Sequence, residues 1–383
     1  MYLMHMDEIV AKIEVMNGKI IAVPQIFNQQ LMPVGVSAQS PNLPLLLQNW
    51  DDMRSIPSER QNMDRILRAI PGGLSEAKRQ SLRVSLTDTY WMQEENMQLS
   101  WRDVNFHNNG FATDFADVAV FEKNIPIVSF ADPDYTTDGV LRKGWISMNH
   151  RPVLLKFGNL GQNARGTNLL SANEVIASKL ADVMGIHHVR YFPVCVEESK
   201  QIVCGSHCFI TDAGKDFVTG LQIAHVHHSF GRELYHQFCA MGCQKEVDRM
   251  LLLDHLLHNT DRHEKNFGII RDAATLETIQ FAPLFDSGSC LGWNYNPALL
   301  QTGETKPFAR KREQQLHFLQ KLPCDVPDPN FVKAVIADTY EIFGIKERQY
   351  QIACDDLEKS YQILVEKEYL YQIPKGLEEE ERE

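Results

Sequence analysis

Apolar and polar residues alternate from Ile9 to Val15 and again from Lys19 to Val23 around the turn pair Asn17-Gly18, so residues 6–23 predict a β-hairpin. Ile20 to Trp50 then carries four prolines and five glutamines and reads as an irregular surface loop. Ser58 to Ile70 has helical spacing until Pro71-Gly72-Gly73 stops it, and Ser75 to about Thr89 predicts a second helix. Trp91, Trp101 and Phe106 supply packing for this first region, residues 1–130. The texture changes near Asp132. Gly139 to Trp145 and Arg151 to Phe157 read as paired strands, and Ser171 to Met184 as a helix closed by Gly185. Val189 to Val196 and Gln201 to Ile210 are two further strands, leading to Thr211-Asp212-Ala213-Gly214. Helices dominate afterwards: Gly231–Met241, Lys245–His258, Arg312–Leu322, Asn330–Phe343 and Glu347–Tyr371. The pattern predicts an α+β chain with a strand-rich lobe at 131–211, a helical lobe at 212–375 and an acidic tail at 376–383.

Composition narrows the classes. Of the 383 residues 44% are hydrophobic, with five Trp and nineteen Phe, which is enough to fill two lobes and excludes wholesale disorder. A formal net charge of −12 opposes non-specific binding to nucleic acid or an anionic membrane, which needs a basic field. No direct nucleic-acid binding is expected, although a local basic cleft for phosphate is compatible with that charge. Eight scattered cysteines, with no basic segment and apolar run at the start, suit a cytoplasmic protein with reduced thiols. The uncharged stretch Ile20–Trp50 is broken by its prolines, so no membrane span is expected.

The apolar helix Lys245–His258 (Val247, Met250, Leu251, Leu253, Leu256, Leu257) reads as a core element that delivers the chain into Asn259-Thr260-Asp261-Arg262-His263-Glu264-Lys265-Asn266. An Asp and an Asn five positions apart on one loop have the spacing of kinase catalytic loops. There Asp261 would orient or deprotonate an attacking hydroxyl, and the Asn266 side-chain oxygen would ligate Mg²⁺, a hard cation. Twenty residues on, after the strand Ile279–Pro283, Asp286 offers a second carboxylate able to bridge metal and phosphates. Upstream, Val153-Leu154-Leu155-Lys156 ends an apolar strand on a lysine, and Glu174, eighteen residues later, is placed to pair with it. Thr136 to Gly144, including Thr137 and Gly139, can form a phosphate-covering hairpin whose glycines let backbone approach anionic oxygen. Loop, lysine, glutamate, hinge, Asp…Asn and Asp occur in the order of a two-lobed protein-kinase-like fold, which predicts ATP and Mg²⁺ as ligands.

The run Asn259-Thr260-Asp261-Arg262-His263-x-x-Asn266-Phe267-Gly268, with Ala282-Pro283-Leu284-Phe285-Asp286, resembles the HipA-type serine/threonine kinases. Leu86-Thr87-Asp88-Thr89-Tyr90-Trp91, Thr136-Thr137-Asp138-Gly139 and Asn173-Glu174-Val175-Ile176-Ala177-Ser178 are similar to stretches of shorter, Firmicutes-type members. The resemblance therefore spans about residues 80 to 320. It implies Asp261 as base, Asn266 and Asp286 as Mg²⁺ ligands, and a protein hydroxyl as acceptor. Family members can autophosphorylate a loop serine; here the loop offers Thr136 and Thr137 instead. The HipA N-terminal domain, which helps dock a DNA-binding antitoxin, is not recognisable in residues 1–80, so the resemblance does not carry an antitoxin-like partner over.

Several residues have a second reading. Phosphoinositide kinases share the Asp-Arg-His-x-x-Asn run, so His263 either assists phosphoryl transfer or is a structural histidine bonded to backbone. Ser171-Ala172-Asn173-Glu174 is also a capping box, which competes with Lys156 for Glu174. Gly158 to Gly166 follows the lysine and reads as a strand-to-helix connection rather than a phosphate loop. The pairs Cys204/Cys208 and Cys239/Cys243 read as buried thiols before zinc ligands. A phosphoinositide or small-molecule kinase, or a nucleotide-binding pseudokinase, are the competing functions.

Overall fold

The computed structural model describes residues 1–158, 168–293, 306–367 and 369. The hairpin at 6–23 forms as β2 (Glu8–Met16) and β3 (Lys19–Ile26), with Asn17 (φ 51°) and Gly18 (φ 76°) both left-handed, as a two-residue hairpin turn requires. With β1 (Tyr2–His5) and β4 (Tyr90–Gln93) they make an antiparallel sheet of order β3-β2-β1-β4.

The Pro/Gln-rich segment is not all irregular. It contains helix α1 (Leu43–Met53), with a proline in its first turn. Leu43, Leu47 and Trp50 recur at helical spacing and are buried against Leu3, Val10 and Ile13 of the sheet. The next two helices are shorter than the periodicity predicts: α2 is Met63–Ala69 and α3 Gly73–Gln80. Leu82 and Arg83 take left-handed φ values of 51° and 54°, which ends the second one, and Tyr90 onward becomes β4. Two single turns, α4 (Trp101–Val104) and α5 (Phe106–Asn109), bring Trp101 and Phe106 against Trp91, and α6 (Asp114–Ala119) follows.

The second sheet has order β5-β6-β8-β7, from β5 (Lys143–Met148), β6 (Arg151–Lys156), β7 (Tyr191–Val196) and β8 (Gln201–His207). Ala116 of α6 and Val120 share a core with Val153, Leu155, Phe157 and Val203, so the first region helps to build this lobe. Helix α7 (Leu169–Val183) ends beside Gly185 (φ 62°). Residues 208–214 cross to the third sheet, β11-β10-β9, formed by β9 (Lys215–Thr219), β10 (Gly268–Asp272) and β11 (Thr278–Phe281).

Helices α8 (Gly220–His227), α9 (Arg232–Ala240), α10 (Gln244–Leu257), α11 (Arg312–Leu316), α12 (Pro329–Ile342) and α13 (Glu347–Glu366) complete the chain. α10 is buried almost all round, as its sequence requires, with α7, α12 and α13 in the same core. Residues 370 and 371 of the longer last helix, residues 159–166 of the glycine-rich connection and the 376–383 tail lie outside the described residues. Among the described residues no three His, Cys, Asp or Glu side chains gather as a metal cluster, and no helix is long and apolar enough to cross a membrane.

One buried carboxylate joins the first region to the rest. Asp216 of β9 accepts from Thr89 N (2.8 Å) and Thr89 Oγ1 (2.7 Å), from Arg271 Nε (3.0 Å) and Nη2 (2.8 Å), and lies 3.3 Å from His5 Nε2. Arg271 also donates to the Tyr90 hydroxyl at 3.1 Å. Burial would raise the Asp216 pKa, but His5 and Arg271 outweigh it and hold the group at about 2 instead of 3.8. A depressed carboxylate contributes stability above its unfolded pKa and loses it as pH falls through the folded value, a linkage of about 2–3 kcal/mol here. Asp216→Asn is expected to destabilise the fold at pH 7 and to flatten the loss of stability between pH 4 and pH 2, read by urea unfolding at stepped pH. An unchanged acid limb in the variant contradicts the assignment.

Candidate active site

Lys156 closes β6, which is hydrogen-bonded to β5 on one side and β8 on the other. Its carbonyl accepts the Ser171 hydroxyl at 2.8 Å, while its buried ammonium reaches Glu174 Oε1 at 2.5 Å and the Asp286 carboxylate. The capping-box alternative for Glu174 does not form. α7 starts at Leu169, Ser171 is turned to Lys156, and Glu174 Oε2 accepts from Ser287 N at 2.9 Å. Asn173 donates to Gly288 O (3.2 Å) and Cys290 O (2.6 Å), so two consecutive residues of α7 grip the 286–290 segment. Gly288 is required there, because a Cβ would meet Leu170 O at 2.6 Å. Asp286 itself has φ 58°, a left-handed conformation held by Glu174 on the next amide and by the Tyr191 hydroxyl, which accepts from Asp286 N at 3.3 Å.

The 259–266 loop leaves α10 at His258 (φ 51°), whose Nδ1 contacts Asp356 at 2.8 Å. Arg262 is fully buried and is the loop's internal brace. Its guanidinium takes both Asp254 oxygens (2.8 and 3.0 Å), Asn266 O (3.0 Å), Phe285 O (2.5 Å) and Ser287 Oγ (2.8 Å). One side chain thus fixes the loop and the Asp286 segment relative to each other. Asp261 stands exposed, its N–H on Asn259 Oδ1 at 3.1 Å. Asn266 donates through Nδ2 to Asp261 O at 3.4 Å, and among the described residues nothing donates to its Oδ1. His263 Nδ1 accepts from Lys265 N at 3.3 Å, the backbone bond of the structural reading, and Nε2 is left over among the described residues.

The 136–144 loop is not a hairpin: the strand starts only at Lys143, after a 3-10 turn at Pro133–Thr136. Gly139 has φ 103°. The Thr137 hydroxyl donates to Pro133 O (2.8 Å) and accepts from Trp145 Nε1 (2.9 Å), so it is committed within the protein. Arg60, from the first region, donates to Gly139 O at 2.9 Å and to Thr137 O. Asp138 meets Lys265 of the 259–266 loop at 2.7 Å, tying the two loops across the cleft.

A cavity of about 720 Å³ lies between them, lined by Thr137, Gly139, Lys156, Asp261, His263, Asn266 and Asp286. Glu174 sits behind Lys156, off the main cavity in a small recess. The sequence-predicted residues therefore converge on one place. Phe285 stacks on Phe209 (5.4 Å, 20°) and packs edge-on to Phe217 (5.6 Å) along an apolar wall. Lys143 fell within the predicted phosphate-covering stretch without being singled out, and Arg60 and the aromatic wall were missed by sequence reasoning, since single residues far apart in the chain leave no pattern. Trp50, Arg54 and Asp88 of the first region also line the cavity, and of these only Asp88, in the Leu86–Trp91 stretch, was marked by the sequence.

No family model and no curated protein matches the sequence. Among solved structures, HipA of Shewanella oneidensis MR-1, from a toxin–antitoxin complex with HipB and operator DNA, is similar over 96% of this chain and 97% of its own. The identity is 13% and the TM-score 0.51. The fold is HipA-like. The Helicobacter pylori proinflammatory kinase CtkA is similar over 58% of this chain and 91% of its own, at 16% identity and a TM-score of 0.45. The HipA likeness takes in most of residues 1–80, where the sequence showed no recognisable HipA N-terminal domain.

Within this HipA-like frame the charges are tightly coupled. Burial alone would lower Lys156, but Asp286 and Glu174 outweigh it and raise its pKa well above the ordinary value. Burial likewise opposes ionisation of Asp286, yet Lys156 and Lys143 hold its carboxyl well below the usual range. Glu174, walled in deepest, is raised by burial. Although Asp261 is largely exposed, desolvation on its cavity side raises its carboxyl above the ordinary value, against the pull of His263. Two oxygen ligands for a hard cation are thus available, an ionised Asp286 and the undonated Asn266 Oδ1.

Removing Arg262 would strand the buried Asp254 carboxylate, so Arg262→Met is expected to cost about 3–5 kcal/mol in urea unfolding. Arg262→Lys should recover little, because an ammonium cannot span five acceptors arranged for a planar fork. Full recovery by lysine would contradict the brace.

Proposed function

We propose that the chain is an ATP-dependent phosphotransferase, a HipA-like serine/threonine protein kinase that moves the γ-phosphate of MgATP to a protein hydroxyl. The observation that carries this reading is the convergence of Lys156, Asp286, Asp261 and Asn266 on one cavity, with Glu174 bonded to Lys156 from behind. Lys156 would turn from Asp286 to the α- and β-phosphates, still oriented by Glu174. The aromatic wall of Phe209 and Phe285 suits a planar base, and Gly139 lets the 136–144 loop lie close over phosphate. Asn266 and Asp286 would hold Mg²⁺, which when bound supplies charge neutralisation at the phosphates. Asp261 would receive the acceptor's proton, and the upward shift of its pKa makes it a better base than an ordinary carboxylate. His263 lines the same cavity, and its Nε2 would stabilise the transferring phosphate.

The acidic net charge favours a protein acceptor over a phosphoinositide in an anionic membrane. The intact Lys156, Asp261, Asn266 and Asp286 favour an enzyme over a pseudokinase. HipB and DNA are named for the Shewanella complex; an antitoxin-like partner for this chain has the full-length fold likeness as its support.

Asp261→Asn should lower turnover of MgATP by at least about a hundredfold, the usual scale for a general base, with little change in nucleotide affinity. Equal turnover in wild type and variant contradicts the enzyme reading. The acid limb of the wild-type rate profile is expected above pH 3.8, since Asp261 must be ionised and its pKa is raised. With γ-labelled ATP, label is expected on serine or threonine of protein; label on lipid alone would refute the protein-kinase assignment.

A further inference from the structure

We propose that a basic ridge leaving the cavity at Lys306, made with Arg310, Lys311 and Arg232, is a docking surface that selects acceptor proteins with acidic residues beside the phosphorylated hydroxyl; this rests on the protein-kinase reading above. The ridge runs against the charge of the molecule. The chain carries −12, yet residues 306–321 hold five cations (Lys306, Arg310, Lys311, Arg312, Lys321) against one anion, Glu313.

The fold divides these cations into an anchor and an outward-facing set. Arg312 is buried, lies 3.6 Å from Asp356, and donates to His255 O at 2.9 Å and to the Ser360 hydroxyl, which fastens the segment to α10 and α13. Gln315 Nε2 holds the Ala309 carbonyl at 2.8 Å, and Gln314 Oε1 accepts from Lys311 N at 3.2 Å, so the backbone on both sides of Arg310 is set. Phe308 is buried against Tyr235, Phe267 and Phe318. Lys306, Arg310 and Lys311 stay exposed on this fixed backbone. Arg232 joins them from α9: its guanidinium lies 5.8 Å from the Phe318 ring, and a Cβ on neighbouring Gly231 would stand 3.5 Å from Phe308 O. Among the described residues none of the four is in an ion pair, not even with the nearby Glu233 or Glu313.

The ridge begins where the chemistry would occur. Lys306 lines the cavity with Asp261, His263 and Asn266, and its charge favours the ionised Asp261. Arg310 and Lys311 follow within five residues. An extended peptide advances about 3.3–3.6 Å per residue, so one whose hydroxyl sits at Asp261 crosses the ridge within a few positions of it. Cations held by aromatic and backbone contacts keep their charge available to carboxylates and repel lysine-rich segments. Four of them in an acidic molecule make a local field, which fits a short acidic segment and not a long polyanion such as duplex nucleic acid.

The test is phosphorylation, with γ-labelled ATP, of synthetic peptides that carry one serine flanked by glutamates, by alanines and glycines, or by lysines. Wild type is expected to favour the glutamate peptide over the neutral one by about tenfold or more in kcat/KM, the scale of several exposed ion pairs acting together. The preference should lie in KM and shrink at high salt. The double variant Arg310→Gln, Lys311→Gln should lose most of it through a raised KM for the glutamate peptide, with thermal melts to verify folding. Charge reversal, Arg310→Glu with Lys311→Glu, should turn the preference toward the lysine peptide, a gain that a merely damaged protein cannot show. Equal use of the three peptides by wild type, ATP turnover without label on any peptide, or an unchanged preference in both variants overturns the ridge assignment and leaves the kinase reading standing. Loss of duplex DNA binding in the variants with no change toward peptides also overturns it. Absence of both ATP turnover and label refutes the kinase reading itself.

Discussion

Lys156 shared between Glu174 and Asp286 is the interaction on which the site depends. It joins three separate pieces of chain: the end of the central strand β6, the first turns of α7, and the left-handed residue after β11. Two carboxylates on one buried ammonium leave the cluster with surplus negative charge. Such an arrangement is costly unless each oxygen is also hydrogen-bonded, as Glu174 is by Ser287 N. The surplus points at a cation, and the bound ammonium points at an anion. MgATP is one ligand that offers both.

Rigidity elsewhere serves that cluster. Arg262 binds the 259–266 loop to the carbonyl of Phe285 and the hydroxyl of Ser287, so Asp261 and Asn266 cannot shift without Asp286. The Asp216 junction holds the N-terminal sheet against β9 and β10, and α6 fills the core beneath β5 and β6. Residues 1–130 are therefore built into the walls of the cavity, and Arg60 among them shapes the loop that covers it. The first region is thus structurally part of the site.

Much of the helical half was legible because its signals are local. α7, α10 and α12 each announce themselves by apolar spacing and by their stops, and the loops they deliver carry recognisable residue spacings. The N-terminal half was read less well. α1 was hidden by prolines and glutamines although Leu43, Leu47 and Trp50 kept helical spacing. β1 and β4 are four residues each and exist through pairing across some 90 positions of chain, Tyr2 with Gln93, which no local window detects. Arg262 gave no signal beyond its place next to Asp261, because burial and five acceptors are tertiary facts. Lys143 had no signal beyond its place in a glycine-bearing loop; the strand register, unknown beforehand, is what sets it beside Lys156.

The most direct measurement is an experimental structure of the chain with Mg²⁺ and a non-hydrolysable ATP analogue. The account predicts the metal on Asp286 and Asn266, Lys156 moved from Asp286 to phosphate oxygen with Glu174 still behind it, and the base against Phe209 and Phe285. A nucleotide bound elsewhere, or one in this cavity with Lys156 still on Asp286 and no metal between Asp286 and Asn266, would contradict it.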